Sequence, residues 1–176
     1  MERDEAVALF KEYNEEESLF KHALSVEAAM RYFAEKNNED KEEWGVAGLL
    51  HDIDYGKYPD MHCVKAREIL EKAGAPEKII RAVESHGYGI CTDVKPESVM
   101  EKTLYAVDEL AGFITACALV RPSKSLSDME VKSVKKKLKD KGFAAKVDRE
   151  IIKRGAEMHE ISLDDLIKET IDALIP

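Results

Sequence analysis

The chain reads as all-α. Apolar residues recur at helical spacing through most of its 176 residues, and no stretch alternates apolar and polar residues as a half-buried strand would. Gly, Pro and Asn clusters cut the periodic segments into helix-sized lengths, about eight to nine in number. A single domain over 1–176 is the most economical organisation at this length.

The elements follow in order. A short helix covers about Asp4 to Tyr13, and a longer one runs from about Glu16 to Lys36 before the polar break Asn37-Asn38. The third begins near Asp40 and closes on His51-Asp52, after which Asp54 to Asp60 is a loop by its Gly56 and Pro59. A fourth spans about Met61 to Lys72. Gly74-Ala75-Pro76 then makes a turn, and Pro76 suits the first turn of a helix reaching Ser85 or His86. Gly87 to Pro96 forms a second loop, and a long helix from about Glu97 to Val120 ends before Pro122. Helices near Ser127 to Lys139, Ala144 to Met158 and Ser162 to Leu174 complete the chain, with Ser127 and Ser162 as expected N-caps.

A hydrophobic fraction of 44% supports a packed core, and the 36% of charged residues must cover it. Leu104 to Val120 is the most lipid-like stretch, yet Asp108 and Glu109 interrupt it, so no membrane span is expected. The acidic start Met1-Glu2-Arg3-Asp4-Glu5 does not resemble a signal peptide, which places the expected location in the cytoplasm. Cys63, Cys91 and Cys117 are odd in number and widely spaced, showing neither a CxxC pair nor a disulfide framework. Free thiols are expected there.

The net charge of -9 argues against general nucleic-acid or anionic-membrane binding. Its distribution is uneven, because Ser123 to Arg154 holds nine Lys and two Arg against five acidic residues, +6, while the remainder carries -15. Lys132, Lys135, Lys136 and Lys139 share one helical face opposite Val131, Val134 and Leu138. That stripe is either a solvated face or, with Arg121 and Lys124, a place where a phosphorylated substrate is held.

Five ionisable residues stand on apolar helical stripes, and Asp52 adjoins one of them. His22 belongs to Leu19, His22, Val26, Ala29, Phe33; His51 extends Trp44 and Ala47; Asp108 sits with Leu104, Ala111 and Thr115. His86 closes Ile79 and Val83, and His62 opens Ala66 and Ile69. Adjacent His51 and Asp52 differ by about 100° around a helix, so they converge only on something close to its end, and a single ion fits. The plainer alternatives are a His51 cap on the helix dipole, an exposed loop acid at Asp52 and a His62 cap. A buried unpaired carboxylate such as Asp108 costs several kcal/mol, about 3–5 when a partner is removed, unless a cation offsets it. Mixed imidazole and carboxylate donors favour Mn, Fe, Co, Ni or Zn over calcium.

The order His22, His51-Asp52, Asp108 resembles the HD superfamily of metal-dependent phosphohydrolases over roughly residues 18 to 120. The resemblance implies an HD-domain helical bundle around a buried metal site, with helices 123–176 packed on that core. His62 and His86 lie where the two-metal branch places two further histidines, which implies a second ion with Asp52 shared between the two. Many relatives carry a lysine shortly after the central pair. Here the run reads His-Asp-Ile-Asp-Tyr-Gly-Lys, which makes Lys57 a catalytic candidate beside Asp52, while Asp54 and Asp60 are loop acids within reach of water or phosphate. The run Val120-Arg121-Pro122-Ser123-Lys124 is similar to that of small stand-alone bacterial HD proteins.

The implied reaction is hydrolysis of a phosphomonoester or phosphodiester of a small nucleotide-like substrate, because a bound cation lowers the pKa of its water and offsets phosphoryl charge. The ligand order also resembles dinuclear diadenosine-polyphosphate hydrolases. It departs from cyclic di-nucleotide phosphodiesterases, since Gly87-Tyr88-Gly89 follows His86 where those carry adjacent histidines. An HD-type di-iron oxygenase and a non-catalytic metal-binding regulatory protein are the alternatives.

Overall fold

The computed structural model describes residues 1–176 and contains nine α-helices and no strand. They are α1 (Arg3–Tyr13), α2 (Glu17–Lys36), α3 (Lys41–Leu50), α4 (Val64–Lys72), α5 (Glu77–Ser85), α6 (Val99–Leu119), α7 (Val131–Lys139), α8 (Arg149–Met158) and α9 (Leu163–Leu174). The chain divides into two compact units, 1–105 and 106–176, with the division inside α6. No helix is long and apolar enough to cross a membrane.

In the first unit α3 is the inner helix and packs against α1, α2 and α5, while α4 packs on α5. Its sequence explains this: Asp40 caps it by accepting from the Glu42 and Glu43 amides, and Trp44 through Leu50 are all buried. The approach of α2 to α3 is close enough that a Cβ at Gly48 would stand 2.9 Å from the Val26 carbonyl oxygen. That closeness brings His22 of α2 beside His51 at the end of α3. Arg67 ties α4 to α5 through Glu84 and Glu77, with Arg67 Nη2 2.8 Å from Glu77. Buried Asn14 pins the loop after α3 to the end of α1, donating to the Phe10 and Ile53 carbonyls and accepting from the Gly56 amide at 2.9 Å.

In the second unit α7 and α8 both pack on α9. Gly155 of α8 lies so tightly on α6 that an added Cβ would meet Ala106 Cα at 2.7 Å. Arg149 stacks over Phe113 and donates to the carbonyls of Ala144, Val147, Asp140 and Phe143, organising the loop before α8.

Three helix starts differ from expectation. Helix α7 begins at Val131, because Ser125 and Ser127 bond to each other instead of capping it. Helix α8 begins at Arg149, where Asp148 accepts from the Glu150 and Ile151 amides; Ala144 has φ 45° and its carbonyl goes to Arg149. Helix α4 starts at Val64 after a 3-10 turn at Pro59–Met61, so His62 is not helical. Ser162 caps α9 as expected.

Candidate metal centre

Four imidazoles surround the Asp52 carboxylate, two at each oxygen. His51 Nε2 lies 3.2 Å and His22 Nε2 3.8 Å from Oδ2; His62 Nε2 lies 3.3 Å and His86 Nε2 3.4 Å from Oδ1. His22 and His51 bring their Nε2 atoms within 3.3 Å of each other. Two nitrogens bound at about 2.0–2.1 Å to one ion at about 90–109° would be roughly 2.8–3.4 Å apart, so this spacing suits a shared cation.

The opposite ring nitrogens are already committed. His51 Nδ1 donates to the Gly48 carbonyl at 2.6 Å, His86 Nδ1 to the Val83 carbonyl, and His62 Nδ1 to Asp54 Oδ1 at 2.6 Å. With the proton on Nδ1, the Nε2 lone pair would be free for a cation held beside Asp52, which is the tautomer a metal ligand needs. The donor set fits a divalent transition metal: neutral imidazoles, a carboxylate with two usable oxygens and a buried setting.

Electrostatics agree. Burial alone would raise the Asp52 pKa, but the charge of His51 and hydrogen bonds from His51, His62 and His86 outweigh it and hold the carboxyl well below the usual carboxylate range. Burial likewise opposes charge on His62, yet its bonds to Asp52 and Asp54 raise its pKa to about 10. In the metal-free protein His62 is therefore an imidazolium clamped between two carboxylates.

Several expected roles change. Asp52 is not an exposed loop acid; it is the hub. Asp54, expected as a loop acid within reach of water or phosphate, is fully buried behind His62, with its second oxygen accepting from the Ala66 amide at 2.9 Å. It is a positioning residue that sequence reasoning missed. Its partner His62 lies eight residues away, a distance that helical spacing does not report. Asp60 is exposed on the 3-10 turn.

His62 reaches the cluster from a non-helical position, φ -55° and ψ 139°, rather than from the start of a helical stripe. His22 on α2 and His86 at the end of α5 sit where their registers put them. Lys57 is exposed, with Nζ 5.1 Å from the centre of the Tyr13 ring. Asp108 lies on α6 in the second unit and is half-buried, not fully enclosed.

The basic residues all belong to the second unit. Arg121 pairs with Asp128 at 3.1 Å, Lys132 with Glu130 at 3.1 Å and Lys135 with Asp164 at 2.7 Å. Lys124, at φ 51°, and Lys136 are exposed.

The HD domain family model matches residues 19–112, and the chain belongs to the HD-domain family. That is a family of metal-dependent phosphohydrolases. The chain is 29% identical over 143 residues to ribonuclease Y of Desulfotalea psychrophila, covering 77% of this chain and 26% of that protein. It is 27% identical over 122 residues to tRNA (cytidine(56)-2'-O)-methyltransferase of Picrophilus torridus, covering 62% and 36%. The chain thus spans only about a quarter to a third of these relatives' lengths. No solved structure matches.

Proposed function

We propose that the protein is a two-metal phosphohydrolase that cleaves a phosphomonoester or phosphodiester bond of a nucleotide-like substrate. The observation that supports this most is the two-and-two arrangement of imidazoles about the Asp52 oxygens, the pattern a carboxylate shared by two ions requires. His22, His51 and Asp52 would hold one ion, with Asp108 added from the ligand order of the sequence, and Asp52, His62 and His86 would hold the other. Such ions lower the pKa of water and neutralise charge on the phosphoryl group.

The chain's own residues set up that chemistry. Asp54 keeps the His62 ring oriented, and the Gly48 and Val83 carbonyls do the same for His51 and His86. Lys57 rests on Tyr13 through a cation–π contact, a weak attachment from which a substrate phosphate can draw it. Arg121, Lys124, Lys132, Lys135 and Lys136 are assigned to attraction of the anionic substrate. Both relatives are, by name, enzymes of RNA, so a short oligoribonucleotide belongs beside mononucleotides among the substrates tried.

The test measures metal content and phosphoester cleavage together, aerobically and anaerobically, with Mn and with Fe. His51→Ala and Asp52→Asn are expected to lose most of the bound metal and all cleavage, and wild-type cleavage is expected to persist without dioxygen. Full metal retention in both variants overturns the ligand assignment. Oxygen uptake by the iron form without any phosphoester cleavage transfers the protein to oxidative chemistry.

A further inference from the structure

Cys63 and Cys91 are far apart in sequence, yet the fold brings their two sulfurs together beside Gly87. The meeting point is Gly87: a Cβ there would stand 2.4 Å from the Cys63 sulfur and 2.3 Å from the Cys91 sulfur, so only glycine leaves the space both occupy. The loop after α5 is folded to deliver Cys91 to this spot. Its amide donates to the Gly87 carbonyl at 3.0 Å, the Gly89 amide donates to the Thr92 carbonyl at 3.1 Å, and Cys91 Sγ itself donates to the Gly87 carbonyl at 3.7 Å. Cys63, at the N-cap of α4, is buried and adopts φ 71°, a left-handed conformation that a non-glycine residue takes at a cost. Cys91 is half-buried and is the thiol that solvent reaches.

We propose that Cys63 and Cys91 form a reversible disulfide under hydroperoxide, and that closing it loosens the metal held by His62 and His86. The Cys91 thiolate attacks the peroxide oxygen and breaks the O–O bond, giving a sulfenic acid and releasing an alcohol, or water from hydrogen peroxide. Cys63 sulfur then attacks the Cys91 sulfur and expels hydroxide, which leaves as water with the Cys63 proton. Two thiols and one hydroperoxide thus become one disulfide, one water and one alcohol or second water. An external dithiol reverses the change by thiol–disulfide exchange.

Coupling to the metal centre follows from the chain path. Cys63 directly follows His62, and Gly87, under both sulfurs, directly follows His86. Drawing the sulfurs from their non-bonded positions beside Gly87 to a bond of about 2.05 Å moves the backbone that carries both rings. Ligand geometry at a metal tolerates little such movement, about 0.2 Å in bond length. The coupling rests on the metal-centre reading; the disulfide does not.

The experiment treats the reduced, Mn-loaded full chain with a few equivalents of hydrogen peroxide, quenches with an alkylating agent under denaturing conditions, and reads intact mass, peptide map and metal per chain. One alkyl group per chain, on Cys117, in place of the three taken up by reduced protein, and a cross-linked peptide joining Cys63 to Cys91 are expected. Cys91→Ser and Cys63→Ser should each abolish the cross-link, and Cys117→Ser should keep it. Overoxidation of Cys91 without a cross-link, or a cross-link through Cys117, overturns the disulfide.

Metal content of the oxidised protein is expected to fall by about half and to return on reduction and reloading. A quantitative cross-link with unchanged metal overturns the coupling alone. Reduced protein that never binds metal overturns the metal-centre reading and the coupling with it, while the mass result still decides the disulfide.

Discussion

Asp52 owes its low pKa and its two-sided geometry to the same neighbours, so the residue is at once charged, enclosed and incompletely neutralised in the metal-free chain. The protein's interim answer is the His62 proton. Because His62 is raised to about 10 in the folded chain against about 6.5 unfolded, its protonation stabilises the metal-free fold fully below pH 6.5. That contribution is lost as pH rises through 10. Metal-free protein should therefore melt at progressively lower temperature from pH 6.5 to 10, and His62→Gln should flatten that trend. A wild-type melting temperature that rises over this range in thermal melts would contradict the clamp. Metal must displace the same proton, so affinity at the His62 ion should strengthen as pH rises towards 10. Asp54→Asn tests the positioning role separately: a roughly 10–100-fold loss of metal affinity is expected in titrations, with the helical CD spectrum unchanged.

At the level of elements, the convergence of His22 on His51 depends on how near α2 lies to α3. Gly48→Ala would push a methyl to 2.9 Å from the Val26 carbonyl, and backbone cannot yield as a flexible side chain can. Overpacking of this kind costs about 1–3 kcal/mol. Thermal melts should show the loss, and metal content should fall because His22 is displaced. An unchanged melting temperature with full metal would show that the two helices are not the spacer of the centre.

The same elements show which features were legible beforehand. His22, His51 and His86 could be read because each lies on or at the end of a helix whose apolar stripe fixes its direction. His62 was placed on a helix it precedes, since the positive φ of Cys63 that separates them leaves no trace in apolar periodicity. Asp54, Asn14 and the Cys63–Cys91 contact escaped because each is defined by a partner 8 to 42 residues away, as in the bond from Gly56 to Asn14, and local spacing does not report such pairs. Ser127, expected to cap α7, bonds to Ser125 within its own loop, and α8 starts at Arg149 rather than near Ala144 because Asp148 caps it.

Over the whole molecule, charge is distributed so that the proposed anionic substrate would be repelled except along one segment. The net charge is -9, yet 123–154 carries +6, and this contrast outlasts the individual ion pairs made by Lys132 and Lys135. Pairs at the surface are worth little, about 0–1 kcal/mol, so their acids do not remove these lysines from service to a phosphate. Long-range attraction acts on encounter and binding rather than on the chemical step. Lys132, Lys135 and Lys136 also have no place among imidazole and carboxylate ligands, so metal binding should not depend on them. The variant with all three changed to Ala is expected to raise KM several-fold, leave kcat within about twofold and flatten the dependence of kcat/KM on salt, with wild-type metal per chain. Steady-state kinetics at low and moderate ionic strength decide this. Identical kinetics at both would make the stripe an ordinary solvated face of α7, whereas loss of metal would mean that the substitutions had disturbed the fold.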